Sequence, residues 1–326
     1  MAQCHLYKLP NELLLHLLTP LPTPELLHLA VLSHRIYTLI LRIIQTRLIA
    51  AAELSSHTLL LECYHPSAKL TEPPYFCTYR GTDGLTQYDS MSKDDDENIC
   101  TRLGEMRRMY SCFRPHRREL ETGGRRVRRR PGDVPGSRTF PGSPADKFEG
   151  ETVKQILSLD SHELFTQLVS QTNLVKVGPR HGLFSCFVGV EEGVLRVWRE
   201  WLRDMDAKGR AATLKAQWKV AEQEGQSKGP VRDRSDDRRN MDDDSILWVS
   251  QAKNTGLRFN IKERKLRRDN PILIRADEED MPVSYELEYD ELLVRTSHLL
   301  LMLEKSLVQE SNDTGKAIVF GSFGAN

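Results

Sequence analysis

Leu9-Pro10-Asn11-Glu12-Leu13-Leu14-Leu15, Thr23-Pro24-Glu25-Leu26-Leu27 and Ser33-His34-Arg35-Ile36-Tyr37 place three helix starts within thirty positions. Pro10 suits a helix entrance, where a missing amide hydrogen costs nothing, and Glu12 sits well against the positive end that follows. Thr23 is expected to cap a second helix, with Pro24 at its first position and Glu25 behind it. Ser33 is expected to cap a third, carried by Ile36, Leu39, Ile40, Ile43, Ile44 and Leu48 at spacings of three and four. A unit of this size is near the lower limit for folding alone. Its helices are apolar on more than one side. The surplus calls for a second partner, either the rest of the chain or another protein.

Residues Leu9 to about Leu39, with Leu17, Leu21, Leu29 and Ala30-Val31, resemble the F-box. The shared pattern is a leucine-proline start, a Glu-Leu-Leu turn, a second helix opening Pro-Glu-Leu-Leu, and a small residue and valine before a basic third helix. The family often has tryptophan where this chain has Ile36. The resemblance implies that Leu9, Pro10, Leu13, Leu17, Leu21, Leu26, Leu29, Val31 and Ile36 dock on the Skp-family linker protein, and through it on a cullin. It also implies a substrate-recruiting adaptor of a Skp–cullin–F-box ubiquitin ligase, working by proximity without catalysis of its own. A scaffold outside a cullin complex is the alternative that the same residues allow. The expected boundaries are an F-box over 1–50 and an α+β domain over 51–326.

The chain has 326 residues and equal numbers of basic and acidic side chains, 46 of each. That balance gives no global pull toward nucleic acid or an anionic membrane. Glu12, His16, Glu25, His28, His34, Arg35 and Arg42 break every N-terminal apolar run long enough to span a bilayer. The six cysteines include no C-x-x-C pair and read as reduced thiols of an intracellular protein, cytoplasmic or nuclear. Cys100, Cys112 and His116 lack the paired spacing of a zinc site, so no metal is expected. Neither is a cofactor. G-x-S-x-G, H-E-x-x-H and the phosphate-cradling G-x-x-x-x-G-K-[ST] are all missing. Cys186 near His181 suggests a thiol nucleophile, but between Phe184 and Phe187 it reads as a small buried residue.

Beyond the helices, His57 to Tyr64 and Tyr75 to Arg80 read as strands. Positions 115–150 read as a disordered linker whose Arg125 to Arg130 cluster suits nuclear import, or weak nucleic-acid contact without site specificity. Val153, Ile156, Leu157, Leu164, Leu168 and Val169 have helical spacing and predict one or two helices. Strands are expected at Leu174–Val177 and Leu183–Val190, then a strand-to-helix passage from Val194 to Leu202. There Trp198 and Trp201 would share a helix face and pack in the core. Positions 222–244 read as a second polar insert. Ile246–Ser250 and Leu257–Ile261 flank a hairpin signal at Asn254-Thr255-Gly256. Val283 to Tyr289 alternates like a strand, Asp290 is expected to cap a long helix through Leu293, Leu299, Leu300, Leu303 and Leu307, and Lys316 to Phe320 reads as a final strand. Strands and helices without a strict βαβ rhythm predict an α+β fold. Val194–Leu202, Glu291–His298 and Gly315–Phe323 are similar to the region following the F-box in many filamentous-fungal proteins, a likeness that implies no substrate.

Overall fold

The computed structural model describes residues 8–68, 74–82, 84, 99–117, 121–122, 125–126, 152–177, 184–223, 244–264 and 282–312. Three helices open the chain: α1 (Asn11–Leu18), α2 (Thr23–Leu29) and α3 (His34–Glu53). Ser33 caps α3 as expected, its hydroxyl accepting from the Ile36 amide at 3.3 Å. Thr23 is not a cap. Pro22 takes that position and Thr23 opens the helix. The third helix ends at Leu54, which adopts the left-handed conformation (φ 47°).

The remaining elements are β1 (Thr58–Tyr64), β2 (Tyr75–Thr82), α4 (Ile99–Arg107), β3 (Tyr110–His116), the short pair β4 (Glu121–Thr122) and β5 (Arg125–Arg126), then β6 (Lys154–Leu159), β7 (Phe165–Val177) and β8 (Phe184–Trp198). They are followed by α5 (Arg199–Gln223), β9 (Ile246–Trp248), β10 (Thr255–Arg264), β11 (Val283–Arg295) and α6 (Thr296–Asn312). Nine strands form one antiparallel sheet in the order β8-β7-β1-β2-β3-β11-β10-β9, with β6 also paired to β11. Along one edge of β11, β6 takes Val283 to Glu288 and β3 takes Leu292 to Arg295, so the two short strands share one long neighbour. The α+β expectation holds.

The sheet curls so that its ends approach each other. On β8, Glu191 accepts a hydrogen bond from Ser250, just past β9, at 2.5 Å. Gly193 permits the contact, since a Cβ there would stand 2.7 Å from both the Cγ1 and the carbonyl oxygen of Val249. Inside the curl lies the larger core, with Leu59, Leu61, Phe113, Leu168, Leu174, Val197, Leu257 and Leu287 from the strands and Leu202 and Leu299 from α5 and α6. Tyr289 belongs to the same core. Its ring meets Phe259 edge-on at 4.9 Å and Tyr75 at 5.6 Å, and its hydroxyl donates to Gln155 at 2.7 Å.

Several sequence expectations fail, each for a local reason. The helices expected from Val153 to Val169 are strands β6 and β7. The inward positions of β6 include Gln155, which bonds Tyr289, while Ile156 faces water. In β7, Ser170 and Thr172 are both fully buried. Polar residues inside and apolar residues outside erase the period-two signal. Asp290 caps no helix. It is the extra residue at the irregularity where Arg258 pairs Glu291 and Phe259 pairs Tyr289, and the strand runs on to Arg295. Trp198 closes β8 instead of joining a helix with Trp201. Pro115 and His116, placed in the linker by composition, are buried at the end of β3. The hairpin around Asn254 forms as expected between β9 and β10. Val127 to Arg130 and the strand expected at Lys316–Phe320 lie outside the described residues.

Candidate functional site

The first two helices present an apolar surface that the described residues leave uncovered. Leu13 and Leu17, one turn apart on α1 and therefore on one face, are 49% and 56% exposed. Leu27 on α2 and Val31 and Leu32 in the turn after it are exposed as well, Val31 at 88%. The opposite side of the helices is core: Leu14 and Leu26 are buried, and Leu26 packs with Ile36, Ile40, Ile44 and Leu48. A scattering of exposed leucines is ordinary, but five large apolar side chains in water between positions 13 and 32 is a concentration.

The chain therefore resolves its apolar surplus in two ways. The surplus of α3 is covered from within, because Leu103, Met106 and Met109 from α4 and its following turn, and Leu300 and Leu303 from α6, complete its core. The surplus of α1 and α2 is left open by the described residues. Of the nine residues expected at a docking surface, Pro10, Leu13, Leu17 and Val31 are exposed, and Leu9, Leu21 and Leu29 are half-buried. Leu26 and Ile36 are corrected: they are interior residues that hold the helices together. Ile36 sits on the inner side of α3, so its packing partners are within the chain.

Polar contacts fix the direction in which this surface points. Arg35 donates from Nη2 to the Leu9 carbonyl at 2.5 Å and from Nε to Asn11 Oδ1 at 2.8 Å, tying the start of α1 to the start of α3. Glu304 of α6 accepts from the Thr23 amide at 3.1 Å and from its hydroxyl at 2.5 Å. A carboxylate from the far end of the chain thus supplies the α2 cap that Pro22 cannot. Arg47 of α3 completes the junction: it pairs with Glu304 at 2.9 Å and donates to the carbonyls of Thr19 and Leu21 at 2.8 Å and 2.6 Å. The sequence signalled none of this, since residues 281 apart in the chain leave no local pattern.

The burial expected of Cys186 holds. Cys186 is buried and sits in a chain of polar contacts. Ser306 Oγ lies 2.9 Å from its sulfur and 2.9 Å from His57 Nε2. The sulfur also lies 3.1 Å from Gln309 Oε1. His181 lies outside the described residues. Burial pushes the Cys63 thiol up to about 12 and the Cys77 thiol up as well, so neither holds thiolate near neutrality. Burial also lowers the pKa of His57, opposed by the Glu310 carboxylate and reinforced by the charge of Lys176. Cys112 and His116 are buried on β3, and among the described residues no group of three or more His, Cys, Asp or Glu is placed to hold a metal. Among the same residues no helix is long and apolar enough to cross a membrane.

Comparison with known families matches residues 6–46 to the F-box domain. No curated protein and no solved structure matches the chain. The matched span runs through α1, α2 and most of α3, and the described residues leave the outer surface of the first two of these helices open.

Proposed function

We propose, from the premise that the chain is an F-box protein, that it recruits a target protein to a Skp–cullin–F-box ubiquitin ligase. F-box domains are protein-interaction modules that typically bind Skp-family proteins within such ligases. In this reading α1, α2 and the turn after α2 bind the Skp-family linker, which carries the cullin, and the curled sheet with α5 and α6 holds the target. Catalysis is then proximity: the target is held where a charged ubiquitin-conjugating enzyme can reach it. One observation carries the reading. The helices matched to the F-box bury the inner face against α4 and α6 yet leave Leu13, Leu17, Leu27, Val31 and Leu32 in water.

The test exploits that exposure. Leu13→Glu with Leu17→Glu changes two side chains outside the core, so folding should survive. Placing charge in an apolar interface is expected to cost several kcal/mol, on the order of a hundredfold or more in affinity. Affinity purification of the full chain should recover the Skp-family protein and a cullin, and the double variant should recover neither while keeping its melting temperature. Equal recovery by wild type and variant would remove docking from these residues. Recovery of the linker without any cullin would favour a scaffold over a ligase adaptor.

A further inference from the structure

Three of the chain's four tryptophans, Trp198, Trp201 and Trp248, line one cleft of about 590 Å³ between the end of β8, the first turns of α5 and the edge strand β9. They come from three elements and meet only in the folded chain. Trp198 is 48% exposed, and its ring meets that of Phe165 at 5.2 Å. Val194 on β8 and Leu164, just ahead of β7, are also exposed, so the cleft opens beside an apolar surface. Trp201 is anchored by its indole N–H, which donates to the Asp244 carbonyl at 2.8 Å.

The charge of its lining has a sign. The lining residues include Glu200, Asp204 and Asp244 against Lys208 and Lys253, three acidic residues to two basic ones. Lys253 is already committed: its ammonium lies 5.6 Å from the centre of the Trp248 ring, and its carbonyl accepts from the Tyr110 hydroxyl. The protein thus uses one of these rings as a cation platform itself. A ring of the neighbouring patch is used likewise, with the Arg196 guanidinium 5.6 Å from the centre of Phe165. A cleft lined by aromatic rings and by more acidic than basic residues complements a planar cation. Ring faces attract it, and the carboxylates accept its forked N–H groups.

We infer that the tryptophan cleft reads the target, taking an arginine side chain from an exposed segment of the recruited protein, with Trp198 as the outer wall and Glu200 and Asp204 as the acceptors. This rests on the adaptor reading above. Arginine is favoured over lysine because its plane stacks on indole and its fork reaches two acceptors, whereas an ammonium does neither as well. The apolar surface of Leu164, Phe165 and Val194 then receives the residues flanking that arginine.

The probe is the capped pentapeptide Gly-Ala-Arg-Ala-Gly, titrated into the full-length chain and read by tryptophan fluorescence. Lysine, glutamine and glutamate versions are run alongside. The arginine peptide should saturate in the millimolar range or below, the lysine peptide should bind more weakly, and the neutral and acidic peptides should leave the signal unchanged. Glu200→Gln with Asp204→Asn, both on exposed positions of α5, should weaken the arginine peptide at least tenfold without moving the melting temperature, and Trp198→Ala should weaken it as much. Saturation by the glutamine or glutamate peptide, no saturation by the arginine peptide, or a lysine peptide as tight as arginine would each overturn the assignment. Capture of the Skp-family protein by the same preparation separates the two readings. Capture without arginine-peptide binding defeats the cleft alone, and binding without capture defeats the adaptor role while supporting the cleft.

Discussion

Glu304 ties α2 and α3 to α6. Its carboxylate is about one-fifth exposed, accepts from the α2 amide end, and pairs with an Arg47 of similar burial. Removing it leaves the first turn of α2 without a cap and, among the described residues, a half-buried guanidinium with only neutral oxygen partners. Each loss is worth roughly 1 kcal/mol, so Glu304→Ala is expected to destabilise by about 2 kcal/mol. Glu304→Gln keeps an acceptor for the amide but drops the ion pair, and should cost about half as much. Thermal melts of the two variants check the order. If both melt with wild type, the contact is surface decoration, as many ion pairs are.

At the scale of elements, what was legible followed the agreement of local signals, and what was missed followed their conflict. Two helix starts were readable because proline and acid coincide with an apolar period at Pro10 and Glu25, and the third because a serine cap, Ser33, precedes one, although the true α2 cap comes from Glu304. The β9–β10 hairpin was readable from Asn254-Thr255-Gly256. Strands β6 and β7 were not, because Gln155, Ser170 and Thr172 are buried while Ile156 and Leu164 face water. The continuation of β11 was hidden by Asp290 in a bulge and by Leu292, Leu293 and Val294, all buried because both faces of the strand are covered. Of the site, the exposed leucines lay inside a readable pattern, whereas the tryptophan cleft depends on a meeting of three elements. Docking of α6 on β8 carries a pH prediction. His57 Nε2 meets Ser306 on α6, and Ser306 meets Cys186 on β8, with the Lys176–Glu310 pair nearby at 2.9 Å. Burial lowers the pKa of His57, so the unfolded chain holds the proton more tightly than the native one. Stability from a neutral His57 is present above the ordinary histidine value and is lost as pH falls through it toward the lower native value. Melting temperature should therefore drop as pH falls through the ordinary histidine value of 6.5 and below it, and His57→Gln should flatten that drop. An unchanged slope in the variant would assign the acid sensitivity to other groups.

On the scale of the whole molecule, the F-box helices and the curled sheet are built as one body through α6. That helix gives Leu299 to the sheet core, Leu300 to the α3 core and Glu304 to α2. It also gives Ser306 to His57, just ahead of β1, and His298 to the Val190 carbonyl of β8 at 3.0 Å. A division at residue 50 would cut α3, which runs to Glu53. A target held by the sheet would in consequence sit at a fixed angle to anything bound by α1 and α2, a geometry that suits transfer by proximity. It follows that residues 1–56 alone should not fold. Without α4 and α6, the faces of Ile44, Leu48 and Ala51 lose their cover, and a three-helix piece of that size has little else to bury. Truncation after Arg295 should damage both halves at once, because Leu299 leaves the sheet core and Leu300 leaves the core of α3. Circular dichroism on the fragment and hydrogen exchange on a version with Leu299→Ala and Leu300→Ala decide it. Coupling predicts that the double substitution raises exchange in α3 and in β8 together. A fragment that folds cooperatively alone, or exchange rising in only one of the two, would mean that α6 is a lid on independent domains and that the angle between them is free to change.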